Sequence, residues 1–296
     1  MKPVGCHDVL LTDFTLQKRG GARIWVDRKV GDSAFIDSLA DADRWFDDPR
    51  CRIIKDEKKI TVGRLTVKIG NEEHALYVKR FNAFSVRYRL VSLFVLSRAF
   101  RSLRGAAILR EAKIPTVTPV AAVENRAWGT LTKSFFISEE IAEGQTTNAY
   151  WVRELRPLRG RAGTERRRGF LRGLAELFRS LHAQQIYHND LKDANILAVP
   201  DGSDSSLCFF LLDLDGVRHY SRLSKKRRLK NLVQLHRTLG RYVRRHEKLF
   251  FLKTYLGSES HNRARKRRLI SKVLRQTRRV EIIKARQAAE ARASLN

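Results

Sequence analysis

Two short stretches constrain this chain more than any others: YHNDLKDANILAV, from Tyr187 to Val199, and FFLLDLDGVR, from Phe209 to Arg218. Between them, two apolar runs, Ile196 to Val199 and Leu207 to Leu212, flank the turn residues Pro200-Asp201-Gly202-Ser203, which is the pattern of a β-hairpin. Directly opposed residues of an antiparallel pair keep a constant sum of positions. A turn centred near Asp204 therefore sets Ile196 against Leu212 and Asn195 against Asp213. Carboxylates are costly to desolvate, so acidic and amide groups gathered at the mouth of an apolar hairpin need a chemical reason to be there.

Phosphoryl transfer supplies one. The carboxylate of Asp213 and the amide oxygen of Asn195 are hard ligands suited to Mg²⁺, which keeps several waters and completes its shell with phosphate oxygens. Asp190, five residues before Asn195, can accept a hydroxyl proton and orient that hydroxyl for attack. Lys192, between them, is placed to neutralise charge on a transferring phosphoryl group.

The rest of the chain reads as two halves, 1–142 and 143–296. In the first, Arg52 to Lys55, Ile60 to Ile69 and His74 to Phe81 are β-like, with Gly70-Asn71 as a turn. A helix is expected over Ser97 to Ala112, stopping before Pro115, then a strand over Ser134 to Ile141 and a linker at Glu143-Gly144. The second half opens with an Arg-rich loop. It continues as an amphipathic helix in which Phe170, Leu174, Leu177, Phe178 and Leu181 recur at helical spacing up to His182. Beyond the hairpin, everything after Asp215 reads as helical and basic.

At this point a resemblance becomes specific. HNDLKDANIL resembles the catalytic loop of the protein-kinase superfamily, and LLDLDG stands where that superfamily carries Asp-Phe-Gly. LYVKRF resembles its strand lysine segment, which makes Lys79 the group expected on ATP phosphates, and Ser138 to Ala142 resembles the hinge that holds adenine. The chain is more particularly similar to bacterial lipopolysaccharide core kinases, the Kdo/heptose kinase family related to the WaaP proteins. That similarity rests on YVKRF, SRAFRSLRGAAILREAKIPTVTP, HNDLKDANIL, LLDLDGVR, RLSKKRRLKNLVQLHRTL and FLKTYL.

The resemblance implies an α+β, two-lobed protein-kinase-like fold, with an antiparallel β-rich N-terminal lobe that binds nucleotide and an α-helical C-terminal catalytic lobe. It implies ATP and Mg²⁺ as cofactors and a sugar hydroxyl of the lipopolysaccharide inner core, Kdo or heptose, as acceptor. By position, Asp190 and Lys192 become catalytic, Lys79 cofactor-binding, and Asn195 and Asp213 metal ligands, while Asp215 assists the metal or caps the next helix and His188 supports the loop. Two departures stand out: IIKDEKKITV contains no glycine where a glycine-rich loop is expected, leaving Lys55, Lys58 and Lys59 to help with phosphates. The expected helix glutamate is replaced by Ser102, and Glu111 lies nine residues on, about 13 Å along the helix.

Charge adds a partner. The chain carries a formal net charge of +29, and Val217 to Asn296 holds 25 of the 60 basic but only 4 of the 31 acidic residues. Such a field selects polyanions: a phosphorylated or carboxylated substrate, as the anionic glycolipid implied by the resemblance would be, an anionic membrane surface, or nucleic acid, the last without any base-reading motif. Leu269, Ile270, Val273 and Leu274 form an apolar stripe flanked by Arg267, Arg268, Lys272 and Arg275, the composition of an interfacial helix. The best apolar run, Leu90 to Phe100, is too short to span a bilayer and is broken by Arg98.

MKPVGCHDVL lacks the apolar stretch of a secretory signal. The expected location is therefore cytoplasmic, peripheral on the inner face of the cytoplasmic membrane. Cys6, Cys51 and Cys208 are too few and too scattered for a disulfide framework and are expected to be reduced. No Ala-Pro-Glu follows Gly216, so the docking platform for a polypeptide substrate is missing. Two alternatives remain open on the residues alone: an atypical Ser/Thr protein kinase, and a non-catalytic pseudokinase with a basic polyanion-binding arm.

Overall fold

The structure is a computed structural model describing residues 11–83, 91–202 and 206–293, with side chains to 290. Cys6, the residues before it, Leu90 and the hairpin turn around Asp204 lie outside the described residues. The chain divides into two compact units, Val4–Ala142 with Leu211–Arg218, and Glu143–Phe210 with His219–Asn296.

The first unit is built from β1 (Phe14–Arg19), β2 (Ala22–Asp27), α1 (Ser33–Ala40), β3 (Arg52–Glu57), β4 (Ile60–Ile69), β5 (Glu72–Asn82), α2 (Arg98–Glu111), β6 (Pro119–Ala127) and β7 (Thr130–Glu139). The strands form one antiparallel sheet of order β1-β2-β6-β7-β5-β4-β3. Successive side chains point to opposite faces. Ile24 and Val26 of β2, Leu76 and Val78 of β5, and Phe135 and Ile137 of β7 pack with Phe35, Ile36 and Leu39 of α1 on one face. The alternate residues face α2: Trp25 meets Phe100 with ring centroids 4.6 Å apart. Lys79 shares this second face, because its neighbour Val78 belongs to the first.

Local signals set the corners. Gly70 turns β4 into β5 at φ +61°, a conformation that glycine adopts without Cβ strain. Its N–H donates 2.8 Å to Asp32, which also caps α1 by accepting from Ala34 and Phe35. These bonds, that from Gly70 foremost, hold the Asp32 carboxyl below its ordinary range. Ser97 caps α2 by accepting from the Phe100 N–H at 3.0 Å.

The three strands expected between Arg52 and Phe81 are present. β1, β2, α1 and β6 were not expected, and β7 begins at Thr130 rather than Ser134. β1 has little alternation to read, and β6, PVAAVENRA, is buried on both faces over its first six residues, which erases period-two patterning.

The second unit contains β8 (Gln145–Thr146), helical turns over Thr147–Tyr150 and Trp151–Leu155, and α3 (Gly160–Ala183). β9 (Ile186–His188), β10 (Ile196–Pro200) and β11 (Leu207–Leu211) follow, then β12 (Val217–His219), α4 (Lys225–Arg237), α5 (Arg245–Leu256) and α6 (Arg263–Ala293). α3 is the core helix: Phe170, Leu174, Phe178 and Leu181 are fully buried, and Phe170 packs against Trp151 and Phe209.

Two corrections to the sequence reading arise here. The Arg-rich stretch expected as a loop forms the first turns of α3, where Arg167 is buried and bonded to Glu247 at 3.0 Å. The segment after Asp215 is not wholly helical, since Val217–His219 is extended.

Candidate active site

The loop after β9 carries the first cluster. β9 is buried throughout, with His188 fully enclosed, so the chain enters the loop from a fixed point. The Asp190 N–H donates to His188 Nδ1 at 3.3 Å, which gives His188 the loop-supporting place expected of it. Lys192 Nζ donates to Asp190 Oδ2 at 2.7 Å. Asn195, at the end of a 3-10 turn over Asp193–Asn195, donates Nδ2 to the Asp190 carbonyl at 2.8 Å and to Asp190 Oδ2 at 3.2 Å. Asp190, Lys192 and Asn195 thus converge, with Asp190 and Lys192 about 40% exposed and open to a solvent-borne reactant. With its NH₂ engaged by Asp190, the Asn195 amide keeps its oxygen as an acceptor.

The backbone of this loop is gripped by α4. Gln234 accepts from the Leu191 N–H at 3.2 Å and donates to the Asn189 carbonyl at 2.7 Å. Asn231, fully buried, donates to the His188 carbonyl at 2.6 Å and to Gln234 Oε1 at 3.0 Å. Its oxygen lies 3.2 Å from His182 Nε2, whose other ring nitrogen is 2.9 Å from the Tyr255 hydroxyl. Burial pushes the His182 imidazole down to about 4, so it sits neutral in this network. Thr238, just past α4, accepts from the Asp193 N–H at 3.3 Å, and Thr147 donates to the Asp193 carbonyl at 2.9 Å. Asn231, Gln234 and Thr238 were not singled out by sequence reasoning. Their signal was three polar residues at near-helical spacing on a face otherwise buried by Leu232, Val233 and Leu235.

The second cluster lies within the first unit. Lys79, on the α2 side of β5, donates to Asp213 Oδ1 at 2.5 Å. Asp213 adopts φ 56°, ψ 59°, a left-handed conformation that strains a non-glycine residue and clusters at functional sites. Asp215, in the following 3-10 turn Leu214–Gly216, accepts from Arg98 Nε at 2.6 Å, with Arg101 3.7 Å away. Ser102 is buried and donates to the Arg98 carbonyl at 3.0 Å, while Glu111 is exposed at the end of α2. The carboxylate on Lys79 is therefore that of Asp213, and Glu111 is no substitute for the missing helix glutamate.

The hairpin strands end at Ile196 and Leu211, so neither Asn195 nor Asp213 is a paired strand residue as the register argument expected. Each lies instead in a short turn just outside its strand. Where a glycine-rich loop was expected, β3 and β4 form a hairpin turning at Lys58-Lys59, with a register shift between Ile53 and Lys55 and with Lys55 paired to Glu57 at 3.1 Å. Among the described residues no group of three or more His, Cys, Asp or Glu side chains could hold a metal by itself.

A loop that holds a carboxylate, a lysine and an amide together, and a strand lysine ion-paired to the first aspartate of Asp-Leu-Asp-Gly, define a phosphotransferase of protein-kinase-like fold. The chain belongs to the lipopolysaccharide kinase (Kdo/WaaP) family, whose model matches residues 44–255. As a member it is a kinase acting on a sugar hydroxyl of the lipopolysaccharide core, and it uses ATP. Among solved structures it is similar to one titled "WaaP in complex with acyl carrier protein", at 20% identity and a TM-score of 0.59, over 77% of this chain and 88% of that one. That likeness shows the fold. Comparison with curated proteins finds no match.

Proposed function

We propose that this kinase transfers the γ-phosphoryl group of ATP to a hydroxyl of Kdo or heptose in the lipopolysaccharide inner core. The observation that carries the reading is the grip of Lys192 and Asn195 on one carboxylate, Asp190, over a loop fixed by α4. In the reaction the acceptor hydroxyl oxygen bonds to the γ-phosphorus, the bridging phosphorus–oxygen bond to ADP breaks, and the hydroxyl proton passes to Asp190. Lys192 neutralises charge gathering on the phosphoryl oxygens, and Lys79 exchanges its bond to Asp213 for one to the ATP phosphates. Asn195 and Asp213 are the residues that would hold Mg²⁺, which supplies charge neutralisation on the phosphates. The backbone of Ser138 to Ala142 would receive adenine.

The reaction would take place at the cytoplasmic face of the membrane, with the protein bound peripherally. No helix among the described residues is long and apolar enough to cross a membrane. Support comes from α6, whose apolar residues divide: Val273 is buried beside Thr277, which bonds His236 of α4, while Leu274, Ile282 and Ile283 are 44–52% exposed among Arg275, Arg278 and Arg279. The stripe read from sequence is thus split, and the outward half mixes apolar and cationic groups as an interfacial helix does.

The test uses γ-labelled ATP with purified lipopolysaccharide, lipid and protein being separated after reaction. Label is expected in lipid with wild type and is lost with Asp190→Asn; label found in protein alone refutes the glycolipid acceptor.

A further inference from the structure

We propose that Asp215 is a positioning residue, which latches the N-terminal turn of α2 onto the Asp213 turn through Arg98 and so does the work of the absent lysine–glutamate pair. The inference rests on the kinase reading, in which Asp213 holds the metal. It goes beyond it by removing Asp215 from the metal shell and giving Arg98 a task.

Four observations within the first unit converge. Asp215 Oδ2 accepts from Arg98 Nε at 2.6 Å and lies 3.7 Å from Arg101, and the side chain is 15% exposed. An oxygen already facing two guanidinium groups is a poor ligand for another cation. The Arg98 guanidinium also stacks 4.6 Å over the Phe81 ring, and Lys79 Nζ lies 5.2 Å from the centre of the same ring. Both ion pairs, Arg98–Asp215 and Lys79–Asp213, therefore share Phe81 as a floor. The turn is pressed against α2: a Cβ added to Gly105 would stand 2.3 Å from the Leu214 carbonyl oxygen. Finally, Asp213 holds a left-handed conformation that persists only where its surroundings over-determine it. On the strand side the Leu211 N–H donates to the Pro115 carbonyl at 3.1 Å and Thr116 donates to the Leu211 carbonyl at 2.8 Å. On the other side Arg98 bonds the Asp215 carboxylate, and Arg218 donates to the Asp215 carbonyl at 3.0 Å.

The position of Arg98 suits a rescue experiment. It is the first residue of α2, where the helix dipole favours a carboxylate, so Arg98→Asp combined with Asp215→Arg restores one ion pair, while Arg101, 3.7 Å from Asp215, keeps the recovery partial. The full-length protein is assayed as wild type, Arg98→Gln, Asp215→Asn, the double variant, and the swap Arg98→Asp with Asp215→Arg. Each single substitution is expected to lower kcat/KM for ATP on the order of 10- to 100-fold, as misplacement of a catalytic group does. The Mg²⁺ concentration for half-maximal rate rises in both, the KM for the glycolipid stays the same, and the swap recovers part of the loss.

The proposal is overturned if the singles change kcat/KM by less than about twofold. It is also overturned if Asp215→Asn raises the Mg²⁺ requirement while Arg98→Gln does not, since Asp215 would then be a metal ligand. Thermal unfolding of the same set gives a second reading that needs no turnover. Coupling between the two substitutions is expected, and strict additivity would overturn the latch. Should wild type transfer no phosphate, the kinase reading fails, and the unfolding cycle still decides whether the latch exists.

Discussion

Replacing Gly105 with alanine sets two effects of opposite sign against each other. Gly105 lies inside α2, where alanine gains about 1 kcal/mol of helix propensity over glycine. Against this, the new Cβ would stand 2.3 Å from the Leu214 carbonyl oxygen and 3.1 Å from the Leu214 Cβ, whereas ordinary contact begins at 3.4 Å. The obstacle is backbone, so α2 or the Asp213 turn must retreat by about 1 Å, a displacement for which overpacked cores lose about 1–3 kcal/mol, occasionally more. Both Leu214 and the helix face it meets are buried, so relief toward solvent is closed. The clash wins, with a net loss of up to about 2 kcal/mol, or up to roughly 8 °C in Tm for a unit of this size. Thermal unfolding of the purified protein measures it, together with the Mg-ATP-induced rise in Tm, which shrinks because the Asp213 turn has moved. A Tm equal to or above that of wild type would refute the close-packing argument.

Gln234→Leu removes the bonds to the Leu191 N–H and the Asn189 carbonyl, and is expected to cost about 1–3 kcal/mol in urea unfolding. kcat should fall at least tenfold while KM for ATP stays near wild type, because Asp190 and not the nucleotide loses its support. A variant with wild-type kcat would show that α4 does not set the loop. His182 gives a pH dependence: burial holds its folded-state value down to about 4, below the ordinary 6.5 of an unfolded chain. The unfolded state therefore takes up a proton first as pH falls, so this contribution is intact above about pH 6.5 and is lost on acidification toward 4. Urea titrations should find wild type losing about 2 kcal/mol more than His182→Gln between pH 7 and pH 5. Equal losses would place His182 outside a desolvated network.

What was legible in the sequence was what is local in the chain. Asp190, Lys192 and Asn195 sit within six residues, and their bonds to one another follow from a single loop conformation. β4, β5, α2 and α3 announce themselves through alternation, capping and helical spacing. The residues that support the site were hidden by distance. Arg98 meets Asp215 across 117 positions, and in a chain with 60 basic residues nothing in the sequence marks which arginine a given aspartate will find. Asn231 and Gln234 look like the polar face of a basic helix until the loop they bond, more than 40 residues earlier, is folded against them. The register argument failed for a related reason: Asn195 and Asp213 each leave the strand direction through a short turn, and turn geometry overrides pairing arithmetic.

The central claim is that Asp190 takes the proton of the attacking hydroxyl as phosphate passes from ATP to the lipopolysaccharide core, and its most direct test is the mass of that core in cells. Lipopolysaccharide from a strain lacking this gene, complemented with wild type or with Asp190→Asn, is compared by mass spectrometry. The account predicts loss of one phosphate, about 80 Da, on deletion, restored by wild type and not by Asp190→Asn. A core mass that is the same in all strains, or is restored equally by Asp190→Asn, would contradict it.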